Sequence, residues 1–186
     1  GKVTHKPLYG NLLAGKPFTV NYAMGWTGDI FGENDVLGAD PTTFGLTNGK
    51  RGNNASYTPW SSFAIVEGKD LEFIVNLDKP TEVSKVIFGS LFNPAMRMLP
   101  AGGIAVEVSA DGQQYTQIAE KTLKHDCPET GRIAFTDSIE FEPAQATFLK
   151  VKIKNGGTLR NGVNFEKNNG PEVIPAELWI DEIEAY

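Results

Sequence analysis

Cysteine is almost absent. Cys127 stands alone among 186 residues, so no disulfide can close within the chain and no C-x-x-C pair exists. A cytosolic, periplasmic or outer-surface setting stays open on that count. Histidine is nearly as scarce, with only His5 and His125. No apolar run approaches the roughly 18 residues a membrane-spanning helix needs, so no membrane insertion is expected. Basic charge is in deficit: 17 Lys and Arg face 23 Asp and Glu, for a formal net charge of −6. A nucleic-acid binder would usually carry a basic field, so that class of partner is disfavoured. The G-x-S-x-G, H-E-x-x-H and P-loop signatures are all missing.

Those absences leave little from which to build an enzyme. His125 and Cys127 lie in KHDCPETG, where Pro128 and Gly131 argue for a turn, and Cys127 reads as a small, partly buried residue. The carboxylate pairs Glu140/Glu142 and Glu182/Glu184 share strand faces, but same-face neighbours are only about 7 Å apart along one strand. A glycosidase needs its two acids to flank a bond across a cleft. These pairs therefore read as charges on exposed strand faces, and the chain as non-catalytic.

What the sequence does contain is turns and alternation. There are 20 Gly and 11 Pro with no collagen-like period. Phe18, Val20 and Tyr22 alternate with polar residues, as in a half-buried strand. Lys69–Leu77 places Leu71, Phe73, Val75 and Leu77 on one face and is expected to end at Asp78-Lys79-Pro80. Val83–Leu91, Ile104–Ala110, Tyr115–Ala119, Ile133–Phe141, Thr147–Lys154 and Ala176–Tyr186 read as further strands. Asp111-Gly112 is the strongest hairpin signal. In Thr147–Lys154, Leu149, Val151 and Ile153 form an apolar face opposite Lys150, Lys152 and Lys154. Those lysines read as a solvated face that also guards against edge-to-edge pairing. On the closing strand, Leu178, Ile180 and Glu182 are expected on one side, and Trp179, Asp181 and Ile183 on the other.

About eight strands with turns every ten or so residues predict an all-β antiparallel sandwich. Residues 1–10 read as a lead-in and 11–186 as one domain. Gly1-Lys-Val-Thr-His is too polar for a signal peptide, and without an initiator Met the whole reads as a piece of a longer protein. The polar loop Leu46–Phe63, closed by Trp60 and Phe63, is expected to meet the segment Leu178–Tyr186.

Six segments in order carry a resemblance: AGKPFTV, LTNGKRG followed by Trp60, DLEFIVNLDKPTEVSKV, VEVSADGQQYTQIA, FLKVKIKNGG and LWIDEIEAY. Together they resemble the discoidin, or coagulation factor 5/8 type C, domain. They are most similar to the version appended to bacterial family-20 glycoside hydrolases, the β-N-acetylhexosaminidases. Carbohydrate-binding module family 32 shares this fold. The resemblance implies an eight-stranded jelly-roll sandwich of the galactose-binding-domain-like kind. It implies a periplasmic, cell-surface or secreted bacterial setting.

It also implies roles for residues. The turn at Asn48 and the closing Glu182 match positions that help bind a structural Ca2+, although the family commonly has Asp where this chain has Asn48. A calcium shell accepts amide and backbone oxygens, so Asn48 could contribute or could simply make the turn. Sugar recognition belongs to loops at one end of the sandwich, where aromatic faces and amide or guanidinium groups read the ring. The candidates are Trp26, Phe31, Arg97, Arg160, Asn161, Asn164 and Phe165, with Trp60 able to join them or to sit in the core. Trp26, Ile30 and Phe31 equally suit packing beneath their loop. The expected partner is a galactose- or N-acetylhexosamine-containing glycan. The alternative is a structural module that packs against the catalytic domain of its parent.

Overall fold

The computed structural model describes residues 10–27, 45–55, 60–63, 65, 68–160 and 173–186, with only the backbone of Met24, Trp26, Thr27 and Arg160. It is all-β. The strands are β1 (Phe18–Val20), β2 (Met24–Thr27), β3 (Ser61–Phe63), β4 (Asp70–Phe92), β5 (Gly103–Ser109), β6 (Thr116–Thr122), β7 (Ile133–Lys154), β8 (Thr158–Arg160), β9 (Val173–Pro175) and β10 (Leu178–Ala185). All pairing between them is antiparallel.

Two long bent strands build the sandwich. β4 and β7 pair along almost their whole lengths, from Asp70 opposite Lys154 to Phe92 opposite Ile133. The first half of β4 and the second half of β7 join β1, β5 and β6 in one layer. The other halves join β10, β3 and β2 in the second layer. The sequence predicts separate strands here, broken at Asp78-Lys79-Pro80. Instead the ladder slips between Asn76 and Thr81 and resumes. Asp78 takes a left-handed φ of 71°, and its N–H is held by Asn76 Oδ1 at 2.8 Å. Pro80 falls inside this irregularity, where its missing N–H breaks no ladder bond.

The core follows the alternation. Leu71, Phe73, Val75 and Leu77 from one layer face Val83, Val86, Phe88, Ile180 and Ile183 from the other, all buried. Leu149, Val151 and Ile153 are fully buried as expected. Phe63 lies in this core. Trp60 does not: it packs with Leu91 and Met98 in a smaller cluster that Ala134 and Trp179 flank. Trp60 is fully buried, which removes it as a platform for a sugar.

The Asp111-Gly112 hairpin joins β5 to β6 as predicted, with Gly112 at φ 76°. Asp111 Oδ1 accepts the N–H groups of Gln113 and Gln114. The lysine face of β7 departs from expectation. Over Phe148–Lys154, β7 lies between β4 and β5, so its lysine face has no edge to guard. Lys150 pairs with Glu72 and Glu107, Lys152 pairs with Glu107 at 3.2 Å, and the Lys150 ammonium sits 4.1 Å from the centre of the Tyr115 ring.

Candidate functional site

Two places gather the residues singled out by the sequence. The first is the junction of the loop 45–55 with β10. Leu46 accepts the Ile183 N–H at 2.9 Å, and Thr47 is tied to the turn at Gly15 and Lys16 by two short hydrogen bonds. Gly49, at φ 83°, donates its N–H to Glu182 Oε2 at 2.6 Å. Asn48 is exposed, and its Oδ1 accepts the Lys50 N–H at 3.0 Å. Asn48 and Glu182 are thus neighbours through Gly49.

β10 carries a bulge here. Ile180 pairs with Ser90 and Ile183 with Phe88, so Asp181 and Glu182 together oppose Gly89. The extra residue shifts the alternation, and Ile180 and Ile183 both reach the core. The expected two-sided pattern of β10 therefore fails at this point. Gly89 is required: a methyl group on it would run into the Asp181 carboxylate. Gly52 is equally constrained, because a Cβ there would overlap the Trp60 ring.

The bulge buries charge. Asp181, Glu182 and Glu184 are each at most 3% exposed, so Glu182 and Glu184 are not charges on an exposed face. Arg51 pairs with Asp181 Oδ1 at 3.3 Å and with Glu184 Oε2. Asp181 also accepts the N–H groups of Gly52 and Glu182. The Tyr186 hydroxyl donates to Glu184 Oε1. Asp181 and Glu184 thus share one guanidinium, with Glu182 held by Gly49 beside them. Burial raises the Asp181 pKa against the opposing pull of Arg51. Burial pushes Glu182 up to about 9, opposed by the Gly49 N–H and reinforced by the Asp181 and Glu184 charges. Burial and the Glu184 hydrogen bond raise Tyr186 as well.

Glu182 Oε1 is the open feature of this cluster. It is buried and lacks a hydrogen-bond partner among the described residues. A carboxylate oxygen is a ligand type that Ca2+ takes, while the groups placed about Glu182 here are the Gly49 N–H and the Arg51, Asp181 and Glu184 charges. Among the described residues no group of three or more His, Cys, Asp or Glu is placed to hold a metal. Any ion here would lean on Glu182, on amide and on backbone oxygens.

The second place is the end of the sandwich where β4 turns into β5. Arg97 closes a short 3-10 turn at Pro94–Met96 with a left-handed φ of 64° and is half-buried. Its carbonyl accepts the Glu177 N–H at 2.8 Å, and Met98 bridges to Glu177. β8 and β9 form a hairpin beside it, with Arg160 opposite Val173 and Gly157 accepting the Ala176 N–H. So Arg97 and the hairpin that carries Arg160 meet through the strand leading into β10. Trp26 pairs with Ser62, and Ser62 pairs with Trp179, in one row across the second layer. Trp179 is half-buried and donates its ring N–H to Glu177. Sequence reasoning did not single it out; its signal was an aromatic opposite a core-facing Ile180. Phe31, Asn161, Asn164 and Phe165 lie outside the described residues, as does Ile30.

His125 and Cys127 line one shallow pocket, but His125 is engaged elsewhere. His125 Nε2 meets Asp137 at 2.8 Å and its ring packs on Phe135. Cys127 is exposed rather than partly buried, and burial of its sulfur with the Asp126 charge holds its thiol above the usual range. A raised thiol pKa is the opposite of what a nucleophile needs.

No protein-family profile matches the chain, and no curated protein matches it. Solved structures do resemble it in fold. CpGH89CBM32-5 from Clostridium perfringens, solved in complex with GalNAc-β-1,3-galactose, superposes with a TM-score of 0.51 at 14% identity, covering 92% of this chain and 95% of that one. A Streptococcus pneumoniae fucose binding module gives 0.50 at 15% identity, covering 95% and 94%. The CBM32-1 and CBM32-2 domains of Clostridium perfringens ZmpB, in complex with GalNAc, give 0.51 at 12% identity, with 91% of this chain and 32% of that one. The fold is therefore a jelly-roll sandwich of the galactose-binding-domain-like type.

Proposed function

We propose that this chain is a non-catalytic carbohydrate-binding module of a secreted or surface-exposed bacterial glycoside hydrolase. The carrying observation is the fold shared with modules named for the sugars they hold, together with the clustering at one end of Arg97 and the β8–β9 hairpin. A guanidinium such as that of Arg97 can read hydroxyls, and an aromatic ring can take a sugar's C–H face. A parent of the β-N-acetylhexosaminidase type fits the six sequence segments. The module would then raise the enzyme's effective concentration at its glycan.

Calorimetric titration with GalNAc-β-1,3-galactose and with fucose tests this reading. Saturable heat, weakened about tenfold by Trp26→Ala or Arg160→Ala, is expected. Absence of heat up to about 10 mM sugar would leave the packing role toward the parent as the better account.

The same reading extends to Ca2+ as a structural ion. Glu182 would supply Oε1 and Asn48 an amide oxygen, and the ion would neutralise the excess negative charge beside Arg51.

A further inference from the structure

The outer face of the first layer holds a groove that the loop-end reading does not use. It has a volume of about 580 Å³, within the range of small-ligand sites. Its shape follows from strand register. Gly103 of β5 lies between Lys154 of β7 and Thr122 of β6. One step along the same face, Ala105 lies between Lys152 and Glu120. β5 thus presents no side chain and then a single methyl group, while both neighbours present long ones. A trough results, with Lys152 and Lys154 as one wall and Glu120 and Thr122 as the other. Asp70, opposite Lys154 on β4, extends the lysine wall. Glu107, the next same-face residue of β5, is large and holds Lys152 in an ion pair, so it closes that end.

The lining selects its ligand. It offers no aromatic ring and no exposed apolar side chain larger than a methyl, so an apolar ligand finds nothing to pack on. Ammonium donors face carboxylate acceptors across the trough. Lys154 is exposed and makes no ion pair among the described residues, and Asp70 Oδ1 lies buried without a hydrogen-bond partner. A ligand of either single charge would meet its own sign on part of the lining. A hydroxyl both accepts from an ammonium and donates to a carboxylate. We infer that this groove is a second glycan site, one that takes an uncharged, hydroxyl-rich oligosaccharide along β5. It lies on the outer face opposite the one that carries Trp60 and Trp179, and can act independently of the end loops. Two sites on one module would let it hold two stretches of a polysaccharide at once.

The inference rests on the groove's own geometry and shares with the proposed function only the class of ligand. Amide-shift mapping by NMR tests it on the whole chain, with N-acetylchitotriose, cellotriose and β-1,4-galactotriose as neutral probes. A glucosamine trimer and a galacturonate trimer serve as the charged ones. At least one neutral trimer is expected to shift the amides of Gly103, Ala105, Glu120 and Thr122 and to saturate in the millimolar range. Each charged trimer should bind there at least about threefold more weakly. Ala105→Gln, which fills the trough from an outward-facing position, and Lys154→Met should each weaken those shifts at least about fivefold. Shifts elsewhere should be unchanged. Silence of the groove amides with all three neutral trimers, or tighter binding there by either charged trimer, overturns the inference. If the amides of Trp26 and Arg97 respond while the groove is silent, the end-loop reading survives and the groove reading does not. The reverse pattern sustains the groove and removes the end-loop site.

Discussion

The bulge of β10 and the outer face of β7 both gather charge, and burial makes them different objects. On β7, Lys150 and Lys152 meet Glu72 and Glu107 across neighbouring strands, with side chains that keep partial contact with water. The charges there balance. At the bulge, Asp181, Glu182 and Glu184 are almost wholly removed from solvent, and among the described residues Arg51 is the cation paired with Asp181 and Glu184. Water can screen an imbalance on the first surface but not in the second place. The same residue types therefore tune a surface in one case and hold a loop to the fold in the other.

Removing Arg51 is the strongest way to break this contrast. Arg51→Met leaves three carboxylates with no guanidinium among them, and a loss of about 3 kcal/mol is expected in urea denaturation. An equally large loss is expected from Gly89→Ala, which drives a methyl group into Asp181. Retention of wild-type stability by Arg51→Met would show that the cluster is not held by its ion pairs.

The pH dependence is the next largest effect. The folded-state pKa of Glu182 is raised, so the folded chain binds a proton that the unfolded chain has released. That contribution to stability is present below about pH 4.5 and is lost as pH rises toward about 9. The fall should be at most about 1.4 kcal/mol per pH unit inside that window. Glu182→Gln should flatten it, and an unchanged slope in that variant would assign the proton elsewhere.

Calcium sharpens the comparison further. Millimolar Ca2+ is expected to raise the melting temperature by a few degrees, most clearly at pH 8 where Glu182 must lose its proton to bind the ion. A chelator should reverse the rise, and Glu182→Gln should abolish it. Equal melting curves with and without Ca2+ would leave the Gly49 hydrogen bond as the whole role of Glu182. The smallest effect belongs to the ladder. Lys152→Met should cost no more than about 1 kcal/mol, and that cost should shrink in high salt.

Much of the sandwich could be read from local pattern. The alternation in Leu71–Leu77 and Leu149–Ile153 placed both apolar faces correctly, and Asp111-Gly112 located its hairpin. Continuity was harder to see. Pro80 looked like a stop because its missing N–H is visible in sequence, whereas the irregularity that absorbs it depends on pairing with β7. The bulge in β10 was invisible for the same reason. It requires Gly89, nearly a hundred residues earlier, to admit Asp181. The groove on β5 likewise emerges only when Gly103 and Ala105 are set between Lys154 and Lys152 by register. At the end loops, guanidinium and aromatic residues announced a chemistry. Arg97 could be joined to the Arg160 hairpin only through Glu177, which no motif marks.

The position of β10 has a consequence for how the chain becomes folded. β10 follows β3 and β4 in chain order, yet it lies between them in the middle of its layer, and the Tyr186 carbonyl accepts the N–H groups of Ser84 and Lys85. Until it is in place, β3 and the second half of β4 each present an open edge, and Val86 and Phe88 lack their facing side chains. The second layer is therefore complete only when Leu178–Ala185 lies between β3 and β4, a contact between segments about a hundred residues apart.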